Sequence, residues 1–247
     1  MNNIKEWSKD SAVRGAFVAS IFAVIITVIA IGAFFSAKNL DNTISVTGSA
    51  RRAVVSDSAK LSLTIRRTAS FATVAQGYKD IAQDAFLIKD FILKAGFTDS
   101  DITITPPSAD QIYDNTSRTP EERQYDIREM IDVRSVDIKK IEDLSKTITN
   151  VARSGLVVEV RPVEYLYTKL ADVRVELFAE AIKDARVRAE AIATTSGGKV
   201  GKIKSAATGV VQVLPPQSSD VTDYGAFDTT TLNKEVMVTT RATFNLR

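Results

Sequence analysis

A charge-free run from Gly15 to Phe35, GAFVASIFAVIITVIAIGAFF, limits what this chain can fold into, because only Ser20 and Thr27 interrupt its apolar side chains. At about 1.5 Å of rise per residue a helix of this length reaches roughly 30 Å, the thickness of a bilayer's hydrocarbon core. A core helix of a soluble domain shows a polar face, and a secretory signal peptide has an apolar stretch of only about 7 to 15 residues before its cleavage site. Ala30-Ile31-Gly32 resembles such a site, but the run is too long for it. The expectation is a retained transmembrane helix, marked by Gly15, Phe17, Ile21, Ile25, Ile29 and Phe35. The chain then divides into a tail (1–14), an anchor (15–37) and one soluble domain (38–247).

Lys5, Lys9 and Arg14 precede the run, with Trp7 placed for the headgroup level, while Lys38, Arg51 and Arg52 follow it. Positive charge alone does not choose a side. A short tail before a large domain is the layout of a signal anchor, which puts the N-terminus in the cytoplasm and the domain outside it. Small residues recur every four positions at Ala12, Ala16 and Ser20, and at Ala19, Ala23 and Thr27, rows that let membrane helices approach closely. The helix itself is expected to contact membrane lipid.

Beyond the anchor the chain carries 29 basic and 28 acidic residues, a balance without the basic excess that draws a protein to nucleic acid. Cysteine and histidine are absent. That excludes disulfides, a cysteine nucleophile, a Ser-His-Asp triad, haem and ordinary zinc ligation. No cofactor, metal site or catalytic residue is expected, and the domain is expected not to be an enzyme.

Alternating polarity predicts strands at Ile44–Gly48 and Ala59–Ile65. Phe71, Val74, Tyr78, Ile81, Ala85, Ile88 and Ile92 recur at helical spacing up to Gly96, which stands where a helix C-terminal glycine belongs. A short strand at 102–105 is expected to stop at Pro106-Pro107 and to pair, across a long loop from Pro107 to Gln124, with a strand at 125–136. Ile141, Leu144, Ile148 and Val151 mark a second helix ending near Gly155, and 157–167 reads as a strand. A third helix spans 170–195, with Leu170, Val173, Leu177, Ala181, Ile182, Ala185, Ala189 and Ile192 on one stripe. The order strand, helix, strand, strand, helix, strand is that of a ferredoxin-like βαββαβ domain. Two last strands, 203–213 and 235–246, are expected to pair and to extend or cap that sheet. The fold class is α+β.

Within the third helix, Ala181-Ile182-Lys183-Asp184-Ala185-Arg186-Val187-Arg188-Ala189 and the following Gly197-Gly198-Lys199-Val200-Gly201 resemble the signature of the SIMPL domain family. Ile44-Ser45-Val46-Thr47-Gly48 resembles its first strand, and Gly96-Phe97 with Asp101-Ile102-Thr103 its first helix-to-strand turn. Pro162 to Leu170, and Tyr224-Gly225 with Asp228-Thr229-Thr230, resemble a membrane-anchored bacterial branch. Ala50 departs from the pattern, where many members have a second glycine. The resemblance implies placement in the bacterial inner membrane with the domain in the periplasm. For some members it also implies ring-like, channel-like homo-oligomers, and it implies no catalytic residues. The expected partner is therefore a second copy of the chain.

Several clusters compete with that reading. Asp184 and Arg188 are placed for an ion pair one helical turn apart, and Gly197, Gly198 and Gly201 for a helix stop and tight turn. Asp220, Asp223 and Asp228 have the oxygen chemistry of a calcium loop but not its spacing, so a solvated turn is the reading. Glu121, Glu122 and Asp126 read as a charged hairpin tip. The alternative to self-assembly is a monomeric binding module, linked by analogy to envelope stress.

Overall fold

A computed structural model describes residues 3–39, 42–113, 119, 123–151, 156–218, 222 and 224–247, with side chains of the first helix described from 15 to 36. Helix α1 (Asn3–Asn39) contains a segment, Gly15–Ser36, long and apolar enough to cross a membrane. None of the described residues covers that segment. Its two hydroxyls are satisfied inside the helix, Ser20 donating to the Phe17 carbonyl and Thr27 to that of Ala23, both at 2.8 Å. Neither hydroxyl is left unpaired within this apolar segment.

The larger compact unit comprises Ala50–Glu180 and Gly209–Thr239. Its sheet contains β2 (Ser58–Ser70), β3 (Ile102–Ile104), β4 (Ser108–Ile112), β5 (Gln124–Ser135), β6 (Val157–Val160) and β7 (Glu164–Leu166). The order is β3-β5-β2-β6 and the pairings are antiparallel, with Leu63 opposite Ile131 and Ile102 opposite Val133. This is the ferredoxin-like arrangement that the order of elements predicts. Helices α2 (Val74–Lys94) and α3 (Ile138–Thr147) cover one face. Leu61, Leu63, Ile65, Ile127 and Ile131 from the strands meet Ile81, Ile88, Ile92 and Ile141 from the helices in one core. Gly96, at φ +90°, ends α2 as expected.

Prolines shape the edges of this sheet. Pro106-Pro107 interrupts pairing but does not end it, because β4 resumes the ladder on β5 from Ser108 to Ile112. The loop is thus shorter than the sequence predicts. Proline lacks a donor N–H and is tolerated at an edge, where pairing can restart past it. Pro162 likewise separates β6 from β7, both of which pair with β2. Of the expected stripe, Phe71, in the 3-10 turn before α2, and Tyr78 are exposed, and Gly77 and Asp84 occupy buried positions on α2 instead. Gly155, the expected end of the second helix, lies outside the described residues.

The smaller compact unit comprises Met1–Ser49, Ala181–Thr208 and Thr240–Arg247. The last strands do not extend the ferredoxin-like sheet. They build a second one with the first strand, in the order β1-β10-β8, from β1 (Thr43–Val55), β10 (Asn233–Leu246) and β8 (Val200–Thr208), with β9 (Gln212–Leu214) also on β10. Helix α4 (Leu170–Thr195) lies on this sheet. Val173 and Leu177 pack with Val236 and Val238 in the larger unit, and Ala185 and Ala189 pack with Ala242 and Phe244 in the smaller. The stripe continues to Ala193 rather than Ile192, which is 53% exposed.

Candidate functional site

Two of the segments that carry the resemblance, Ile44–Gly48 and Ala181–Ala189, meet in one strand–helix contact. Gly48 of β1 faces α4 so closely that a Cβ there would collide with the Ala181 carbonyl oxygen and the Ala185 amide nitrogen, and would lie 2.8 Å from the Ala185 side chain. Only glycine opposite alanines permits this approach. The next amide, Ser49 N–H, donates to Asp184 Oδ2 at 2.8 Å, and Arg188 Nε approaches the same oxygen at 2.9 Å. The Ser49 hydrogen bond, followed by Arg188, holds the Asp184 carboxyl below its ordinary range. Ala181, Ala185 and Ala189 are fully buried along this row. At the end of α4, Gly198 N–H returns to the Ala193 carbonyl at 2.8 Å and Gly197 has φ +78°, so this glycine pair ends the helix. Gly201 passes close to β10, with its missing Cβ 3.1 Å from the Asn245 carbonyl. The arrangement positions backbone, holding strand and helix in close contact.

A second cluster surrounds Lys234, whose side chain is 1% exposed beside that of Asp228 at 7%. Lys234 Nζ donates to Asp228 Oδ2 at 3.0 Å and to the Asp228 carbonyl at 2.7 Å. Asp228 Oδ1 also accepts from the Thr230 amide and hydroxyl, and Oδ2 from the Thr231 amide and hydroxyl. Burial pushes this carboxyl upward, but the hydrogen bonds from Thr231, Thr230 and Lys234 outweigh it and hold the group well below the carboxylate range. Asp228 is therefore a buried ion-pair partner and not part of a solvated turn. Asp220 and Asp223 lie outside the described residues, as do Glu121 and Glu122 of the expected hairpin tip.

The third place is a depression of about 250 Å³ in the larger unit, lined by Thr64, Arg66, Arg128, Glu129 and Arg161 among others. Arg66 Nη2 meets Glu159 at 3.2 Å, and Arg128 pairs with Asp110 and Asp126. Thr64 Oγ1 and Glu129 Oε2 are buried without a hydrogen-bond partner. Burial alone raises the Glu129 carboxyl. Such a site could hold a small polar ligand that satisfies both atoms. Nothing in the linear sequence singles it out, because its residues come from β2, β4, β5 and the segment after β6.

Residues 44–244 match the SIMPL family, described as a protein of unknown function (DUF541). No curated protein matches the chain. The match runs from the start of β1 to the last buried side chain of β10, and it takes in both halves of the Ser49–Asp184 contact. On that extent, the chain belongs to the SIMPL family.

Proposed function

We propose that this chain is a noncatalytic, membrane-anchored protein of the bacterial envelope whose SIMPL domain self-associates into a symmetric, ring-like homo-oligomer. The observation that carries the reading is the second sheet, in which β1 and β8 are outer strands on opposite sides of β10. From Lys202 to Thr208, β8 is exposed throughout. An unpaired edge is a template for another chain, and two edges on opposite sides let identical copies join head to tail until a ring closes. The α1 segment holds each copy at the inner membrane, with the N-terminal tail in the cytoplasm and the domain in the periplasm. Light scattering of the detergent-solubilised full chain tests this. One discrete mass several times the monomer is expected, and a monomer would overturn it.

The unsatisfied Thr64 and Glu129 atoms favour one other reading, a monomeric module that binds a small polar ligand in the Arg66–Arg128–Arg161 depression. A monomer whose melting temperature rises with a carboxylate or phosphate ligand, and loses that response in Thr64→Val, would support it.

A further inference from the structure

The two compact units carry opposite net charge. The unit that includes the anchor holds twelve basic and five acidic residues, whereas the other holds twenty basic and twenty-five acidic. Part of the basic excess is fixed by backbone geometry near the strand end that follows α1. Helix α1 ends at Asn39, and Asn42, three residues later, accepts a hydrogen bond from the Leu246 amide at 2.8 Å. Arg247 and Lys199 then exchange backbone hydrogen bonds at 2.7 and 2.8 Å. Arg247 Nε lies 3.5 Å from where a Cβ on Gly201 would be, which sets the guanidinium beside the residue preceding Lys202. Lys199, Lys202 and Arg247 are exposed, and no ion pair neutralises them among the described residues. By contrast, Arg186 and Arg188 are paired with Glu190 and Asp184.

Three extended residues span at most about 11 Å, so the strand end at Asn42 cannot lie farther than that from the end of the anchor helix. Arg247 follows Leu246, and Lys199 pairs with Arg247, so these residues belong to the end of the sheet that the short link ties to α1; attraction to a charged surface persists over about one screening length, roughly 10 Å at 0.1 M salt. We infer that Lys199, Lys202 and Arg247 form a juxtamembrane contact for anionic phospholipid headgroups, holding this end of the sheet against the bilayer. The inference rests on α1 spanning the membrane, and not on self-association. Apolar burial is not needed for such a contact, because clustered Lys and Arg beside a membrane helix are attracted to anionic lipid by charge alone.

The full chain, reconstituted into nanodiscs of phosphatidylcholine alone or with an equal part of phosphatidylglycerol, provides the test. Amine labelling read by mass spectrometry follows each lysine, with Lys79 and Lys139, exposed on the acidic unit, as references. With phosphatidylglycerol, Lys199 and Lys202 should label about fivefold more slowly relative to the references. The difference should vanish in about 0.5 M salt, where screening shortens to a few ångströms. Equal labelling in both lipids, as a neighbouring copy's acidic unit would produce, overturns the proposal. A chain that fails to enter either nanodisc overturns it together with the anchor, and the mass of the same particles reports self-association separately.

Discussion

Gly48 leaves no room for a methyl group, and two of the three atoms that fill its space belong to the backbone of α4. Gly48→Ala should therefore cost about 3 kcal/mol, at the upper end of over-packing effects. Because the obstruction is mainly backbone, adding Ala185→Gly should not restore the melting temperature, and full rescue would show that the side chain alone sets the approach. The Lys234–Asp228 pair makes a different prediction. Removing one partner of a buried pair costs about 3–5 kcal/mol, so Asp228→Asn should melt well below wild type at pH 7. The folded-state carboxyl lies below its unfolded value, which means that its stabilisation is complete above about pH 4 and is lost as pH falls through the folded value. Wild type should therefore lose stability on acidification more steeply than Asp228→Asn, and parallel melting curves from pH 7 to pH 3 would contradict the pair's role. The glycine and the aspartate of the first contact are each recognisable in the sequence. That α4 packs on the glycine and its aspartate takes the next amide is not, since more than one hundred residues separate the two segments and no periodicity reports a long-range contact. Lys234 gave even less warning, because a single lysine after a turn-rich segment reads as solvated.

Helix α4 shows how far periodicity carries an argument and where it stops. Its limits and most of its buried row follow from apolar spacing, and the match is good because a long helix repeats its signal many times. The exception at Ile192 has a physical origin. Buried positions follow a strict four-residue ridge, Val173, Leu177, Ala181, Ala185, Ala189 and Ala193, as ridges-into-grooves packing requires, and size alone would have favoured the isoleucine over the alanine beside it. Small side chains on that ridge set the distance between helix and sheet. Ala185→Leu should force them apart and lower stability by about 1–3 kcal/mol, measured by thermal melting of the detergent-solubilised protein. An unchanged melting temperature would remove Ala185 from the contact. Strands were less legible than helices. Pro106-Pro107 suggests an end, yet pairing restarts past it, whereas 157–167 reads as one strand and is divided at Pro162; only the partner strands β5 and β2 decide that. The assignment of the last strands to a second sheet was likewise hidden, because pairing with β1 joins segments from opposite ends of the chain.

For the whole molecule the question is what would bring copies together in the proposed assembly. In the proposed membrane-anchored assembly, tethering would confine the domains to a thin layer and raise their effective concentration, so weakly adhesive surfaces would gather even without a specific interface. Small-residue rows on the anchor give helix–helix packing a route as well, and neither Gly15 nor Gly32 has a neighbour within 4 Å of where its Cβ would be. Against these stand the open edges of β1 and β8, whose backbone groups are a fixed template with one geometry and therefore one stoichiometry. A chain that begins at Asn39 separates the explanations, since it keeps every strand and loses the membrane helix. In sedimentation velocity at micromolar concentration it should form a single discrete oligomer of the same stoichiometry as the full chain. Should tethering dominate, the truncated chain would sediment as a monomer, and its sedimentation coefficient would rise only gradually with concentration. If the anchor rows dominate, the truncated chain would again be monomeric, but Ala16→Leu and Ala23→Leu in the full chain would disperse the detergent-solubilised assembly. A stable oligomer without the anchor, unaffected by those substitutions in the full chain, is the outcome that places assembly in the sheet edges.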